Sequence, residues 1–344
     1  MISPADVTMS PEKALALSAT RTLDYDYGVW FWGDAIALDG LLDAAELLGD
    51  TRCLDKARDN YQRWAARPLG WADHLTPGAG LLRLAEMTGE DWPIDAALAL
   101  AHHLTSVPRA SGAPLYRPDL PEYRYTVWVD TLYHVPVFFA RLAQVTGDSR
   151  WVAEAVTEWT SHMALLTDDR GPFLGHSWDV GMHRIHGYGW GRGAGWALYG
   201  MIETLEHLPK DLPERAALET QARTLATELL HAQDHTGYWH TLLHDREAYL
   251  ETSTASFFAA AFTRGIRHGL LGDEFVEPAE RAWRATLGRL DERGELWGVS
   301  ACTYASVANI DDVIMYHTLP TEVNVWGQGS AMRAAAERIR SGQQ

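Results

Sequence analysis

Apolar residues recur every three or four positions through most of the chain, and short polar breaks cut this pattern into paired helical stretches. Most of the breaks share a form. Leu48-Gly49-Asp50-Thr51, Thr88-Gly89-Glu90-Asp91, Thr146-Gly147-Asp148-Ser149 and Leu271-Gly272-Asp273-Glu274 each offer a glycine that can end a helix in the left-handed conformation. The acidic or hydroxyl residue that follows suits the cap of the next helix. Leu208-Pro209-Lys210-Asp211-Leu212-Pro213 does the same job with prolines. Positions 89, 147, about 210 and 272 are roughly sixty residues apart, an internal period that marks repeated supersecondary units.

Each unit reads as helix, short turn, helix, long polar loop. The helices before the turns are predicted at 34–48, 78–88, 127–146, 194–208 and 254–271. Several open on small residues (Gly78-Ala79-Gly80, Gly193-Ala194-Gly195, Ser253-Thr254-Ala255), which let backbones approach closely, as an inner ring needs. The helices after the turns, at about 51–66, 92–106, 149–165, 213–233 and 274–290, carry polar faces suited to an outer ring. A further inner helix at 329–339, opened by Trp326-Gly327-Gln328-Gly329, finds its outer partner in the unpaired segment 11–22. Strand signals are sparse, and no linker or low-complexity segment interrupts the pattern. The expectation is an all-α fold, a single-domain (α/α)6 barrel or six-hairpin toroid spanning 1–344. The long loops 67–77, 107–125, 167–192, 234–252 and 291–327 then share one end, where helix N-termini favour negative charge.

Composition sharpens this. The 15 Trp are many, and most stand beside Gly, His or Asp rather than inside apolar runs, a placement suited to sugar rings. A net charge of −17 argues against nucleic acid or an anionic membrane surface as partner. Cys53 and Cys302 stand far apart without metal-ligand spacing. The stretch 1–13 lacks a basic segment followed by an apolar core, and no apolar run approaches the ~18 residues of a membrane span. A cytoplasmic protein is expected.

The candidate chemistry gathers in the long loops. Asp130, in Tyr125-Thr126-Val127-Trp128-Val129-Asp130-Thr131-Leu132-Tyr133-His134, runs into an apolar helix, where burial between Trp128 and Tyr133 should disfavour its charged form. The competing reading is a helix-start aspartate at the positive end of the dipole. Asp73, in Leu69-Gly70-Trp71-Ala72-Asp73-His74-Leu75-Thr76-Pro77-Gly78, precedes the neighbouring inner helix, so the two carboxylates can face one another and divide acid and base roles. Arg192, at a glycine-rich helix start, is placed to hold an anion. The histidines do not match a standard zinc spacing, and the glycines lack the strand and lysine of a nucleotide loop.

Trp128-Val129-Asp130-Thr131-Leu132, Gly175-His176-Ser177-Trp178-Asp179, Trp190-Gly191-Arg192-Gly193-Ala194-Gly195-Trp196, Glu251-Thr252-Ser253 and Trp326-Gly327-Gln328-Gly329 together resemble the unsaturated uronyl hydrolases, glycoside hydrolase families 88 and 105, and the rhamnogalacturonyl branch more closely. The resemblance implies an (α/α)6 barrel that hydrates the C4=C5 double bond left on a uronic acid by a polysaccharide lyase. It implies Asp130 as general acid and as the base that orients water, with Asp73 as second carboxylate. His176, Trp190, Arg192 and Trp196 would line the sugar subsite, with Trp128, His74, Tyr133 and Glu251 as further substrate contacts. An anionic oligosaccharide is the implied partner, and no metal or cofactor is expected. The chain departs from the family pattern at Ala194, where Asn is usual, at His134, where Met often stands, and in loop 117–124, which lacks the usual Pro-Asn-Gln lead-in. These touch substrate contacts rather than the acid. The alternatives are an epimerase using His176 with His240 or His244, an inverting glycosidase on saturated glycans, and a non-enzymatic helical scaffold.

Overall fold

The glycine breaks end helices as their chemistry requires. Gly49, Gly89 and Gly147 all adopt left-handed φ values of 69°, 71° and 69° and return their N–H to the carbonyl four residues back. The computed structural model describes residues 9–27, 30, 32–70, 77–121, 123, 125–303 and 312–342. Among them the helices are α1 Pro11–Leu23, α2 Asp34–Leu48, α3 Thr51–Ala65, α4 Gly78–Thr88, α5 Trp92–Ser106, α6 Thr131–Thr146, α7 Arg150–Leu166, α8 Gly191–His207, α9 Arg215–Ala232, α10 Thr252–Arg267, α11 Val276–Leu287, α12 Asp312–Thr318 and α13 Val325–Gly342. None of these helices is long and apolar enough to cross a membrane.

Of the boundaries that differ from the expectation, three have a clear local reason. The helix expected from 127 begins at Thr131, because the β-branched and aromatic run Thr126–Trp128 pairs as a strand instead. The helix expected to reach 271 stops at Arg267, since Gly269 (φ 69°) takes the left-handed position ahead of Gly272. The last inner helix begins at Val325, where the Asn324 side chain accepts the Gly327 N–H at 2.9 Å as a cap. The short helix α12 and the small antiparallel ladders within the long loops were not foreseen.

The chain groups into two compact units. In the first, formed by 1–64, 229–303 and 317–344, α13 packs against α1, α2 and α10, and α10 against α11. Small residues make the close approach possible: Gly40 lies under Met332, and Gly329 lies on the backbone of Ile36 and Ala37. Near the C-terminal ends of these helices a charge network is buried. Asp43 accepts from Arg333 (2.6 Å) and Arg340 (2.9 Å), and Glu337 accepts from Arg264 (3.0 Å) and Arg267 (2.8 Å). Cations at helix C-termini also suit the dipole.

In the second unit, 65–228 and 304–316, α6 is the hub and packs on α4, α7 and α8. Gly78 lies against the Phe138 ring, and Gly200 of α8 lies on the Leu132 carbonyl and Tyr133 Cα of α6. Pro136 removes the N–H that would otherwise serve the Leu132 carbonyl within the helix. A methyl at position 200 would stand 2.6 Å from Tyr133 Cα. Gly200→Ala should therefore destabilise the protein by about 1–3 kcal/mol, read as a lower urea midpoint at unchanged slope. An unchanged midpoint would show that α6 and α8 have slack.

Candidate active site

Asp130 stands where the strand Thr126–Trp128 turns into α6. That strand pairs antiparallel with Ser177–Asp179, with Thr126 opposite Asp179 and Trp128 opposite Ser177, and Ser177–Asp179 pairs in turn with Arg184–His186. The ladder runs one bond further, as the Val129 N–H donates to the His176 carbonyl at 2.9 Å. The sheet thus delivers residues 46 positions apart to one spot (176 minus 130). His176 Nε2 lies 3.6 Å from Asp130 Oδ2.

Asp130 is 5% exposed and takes the N-cap position of α6, yet its side chain makes no capping hydrogen bond. Oδ2 has no hydrogen-bond partner among the described residues. A helix-capping aspartate would spend its carboxylate on the backbone N–H groups of the first turn. This one stands clear of them. Asp130 does begin the helix, where the dipole favours it, but its carboxyl is not used as a cap.

The imidazole of His176 is fixed on several sides. It stacks on Trp190 with ring centroids 3.7 Å apart, and Trp128 meets it edge-on at 4.7 Å. Nδ1 is 2.6 Å from the Tyr316 hydroxyl. Trp128 is held by its own Nε1–H, which donates to Thr126 Oγ1 at 2.8 Å. Arg192, 1% exposed in the first turn of α8, sets its guanidinium 4.7 Å from the Trp190 ring centre. Gly193 makes this packing possible, since a Cβ there would stand 2.6 Å from the Trp190 ring and 2.9 Å from Val129 Cγ1.

Asp130, His176, Trp128, Trp190 and Arg192 are therefore brought into one cluster. Tyr133 and Trp196 lie about one helical turn further along α6 and α8, with ring centroids 5.0 Å apart and both buried. With His134 and Tyr199 they form an aromatic group of their own. Glu251 belongs to the other unit and is engaged there. Its carboxylate accepts from Ser253 Oγ, from the Thr254 N–H at 3.0 Å and from the Ser300 N–H at 2.7 Å, and so caps α10. Asp73 and His74 lie outside the described residues. Among the described residues no group of three or more His, Cys, Asp or Glu could hold a metal ion.

Sequence reasoning did not single out Tyr316. It sits between Met315 and His317, in a stretch that carries no motif of its own, and only the fold places it on His176.

Residues 13–342 match Glycosyl Hydrolase Family 88. The chain is 26% identical over 330 residues to the unsaturated rhamnogalacturonyl hydrolase YesR of Bacillus subtilis (strain 168), covering 93% of this chain and 92% of that one. The solved glycoside hydrolase of family 105 from C. acetobutylicum superposes with a TM-score of 0.85 at 22% identity, over 96% of this chain and 99% of its own. The unsaturated glucuronyl hydrolase of Bacillus sp. GL1 superposes with a TM-score of 0.72 at 16% identity, over 94% of each chain. The fold shared with these structures is the all-α (α/α)6 barrel read from the helix pairs, and the likeness to families 88 and 105 read from the motifs holds over nearly the whole length. The chain belongs to Glycosyl Hydrolase Family 88 and is a glycoside hydrolase.

Proposed function

We propose that this chain, a single catalytic domain over 1–344, hydrates the C4=C5 double bond of an unsaturated uronyl residue at the non-reducing end of an oligosaccharide released by a polysaccharide lyase. The reading rests most on one observation: a buried Asp130 carboxyl that declines its capping role and faces His176 at 3.6 Å. The curated relative whose printed activity is unsaturated rhamnogalacturonyl hydrolysis supports that substrate branch.

The chemistry needs one proton and one water. Asp130 donates its proton to C4, and positive charge develops at C5 and the ring oxygen. Water adds at C5 and returns a proton to Asp130, which ends as it began. The resulting C5 hemiketal opens to a ketone, and the C1 hemiacetal so formed expels the aglycone as an alcohol. His176, locked between Trp190 and Trp128, faces the acid as its proton leaves. Arg192 is assigned the substrate carboxylate, a role its planar fork of donors suits. Trp190 and Trp128 supply sugar-facing surface, Tyr133 and Trp196 support them, and Asp73, with His74 beside it, is kept as the second carboxylate on the strength of the motif resemblance. Glu251, which caps α10, is kept as a further substrate contact on the strength of the motif resemblance. The partner is an anionic oligosaccharide, and a net charge of −17 argues against nucleic acid. The reading places the enzyme in the cytoplasm, where the free thiols of Cys53 and Cys302 stay reduced.

A panel of lyase-generated unsaturated disaccharides tests this. Hydration abolishes the ultraviolet absorbance of the conjugated enol ether, and the rhamnose-linked disaccharide should be consumed fastest. Absorbance retained with every uronyl disaccharide would refute the reading.

A further inference from the structure

The hydrogen bond between His176 Nδ1 and Tyr316 fixes more than the ring's position. A neutral imidazole carries its proton on one nitrogen, and the bond made by the other nitrogen decides which. Nε2 lies 3.6 Å from Asp130 Oδ2, the oxygen nearest it as the acid loses its proton. Once Asp130 has given its proton to C4, an N–H facing its carboxylate oxygen is attractive, whereas a lone pair facing it is repulsive. That tautomer requires the Tyr316 O–H to donate to Nδ1, across a distance of 2.6 Å.

We infer that Tyr316 is a positioning residue, and that its hydroxyl holds His176 as the Nε2–H tautomer aimed at Asp130. The surroundings are shaped for this contact. Tyr316 is fully buried, and its ring lies 6.2 Å from that of His176 and 6.3 Å from that of Trp190. Gly187 adopts φ 59°, and a Cβ there would strike the Tyr316 hydroxyl and stand 2.8 Å from His176 Cβ. The Gly187 and His186 carbonyls both accept from the His176 N–H, at 3.2 and 2.9 Å. One glycine corner thus holds the histidine backbone and leaves the space that the tyrosine fills.

The inference rests on the proposed hydration, in which Asp130 becomes a carboxylate as its proton moves to C4. An Nε2–H facing Oδ2 favours the transition state over the bound substrate, so its loss falls on kcat rather than on KM. Tyr316→Phe keeps the ring and removes only the donor. Its kcat should fall about 10–100-fold, by analogy with the partners that orient metal-bound histidines, with KM and melting temperature close to wild type.

The decisive experiment pairs those kinetics with 15N spectra of histidine-labelled protein, which report the tautomer of His176. The expected result is Nε2–H in the wild type and a mixture of tautomers in Tyr316→Phe, together with the fall in kcat. A wild-type proton on Nδ1, or either readout unmoved by the substitution, overturns the inference. Wild-type protein inactive on every unsaturated disaccharide would refute the substrate reading instead. The tautomer spectra would then decide the role of Tyr316 alone.

Discussion

Asp130→Asn should lower kcat on an unsaturated uronyl disaccharide by about 10²–10⁴-fold, the contribution of a positioned general acid. The amide keeps the shape of the carboxyl but cannot give a proton to carbon. Asp130 makes no capping hydrogen bond, so the helix loses nothing by the exchange. Helical content and melting temperature should therefore match the wild type. KM should change little, because the proton is needed in the transition state and not for binding. A variant that keeps a tenth or more of wild-type kcat would remove Asp130 from the role of acid.

Asp43→Ala should have the largest effect on stability, about 3–5 kcal/mol, the usual loss when one partner of a buried ion pair is deleted. Asp43 is fully buried and bonds both Arg333 and Arg340, and Arg333 itself is only 2% exposed. Without the carboxylate, the buried Arg333 and its neighbour Arg340 lose the partner they share. Urea unfolding monitored by tryptophan fluorescence would show a lower midpoint, while kcat of the protein that remains folded should hold. A change below about 1 kcal/mol would place the pair among those equivalent to exposed salt bridges.

Much of the helical framework was legible because helix ends are local chemistry. The Gly49, Gly89 and Gly147 caps need only one residue able to take positive φ, and the sequence around each shows it. At the fifth inner helix the expectation took Gly272 and overlooked Gly269, three residues earlier, which takes the left-handed position instead. The strand at Thr126–Trp128 was hidden because an apolar run beside a helix looks like its first turn, and only pairing with Ser177–Asp179 settles the matter. Within the site, Arg192 and the glycines that follow it carried their own signal. The approach of His176 to Asp130 carried none, since it depends on a ladder between distant segments; the motif resemblance, not periodicity, put the two together. Tyr316 was invisible for the same reason. The capping role of Glu251 was not read from the sequence, where the motif resemblance alone singled it out.

The central claim is that the C4=C5 bond of an unsaturated uronyl ring is protonated from Asp130 within the His176, Trp190 and Arg192 cluster. A crystal structure of Asp130→Asn bound to an unsaturated disaccharide tests it most directly. The account predicts C4 of the uronyl ring about 3–3.5 Å from the side chain at position 130, the separation of a near-attack geometry, with the ring carboxylate on Arg192. A ring bound away from position 130, or turned so that C4 faces the opposite side, would contradict it.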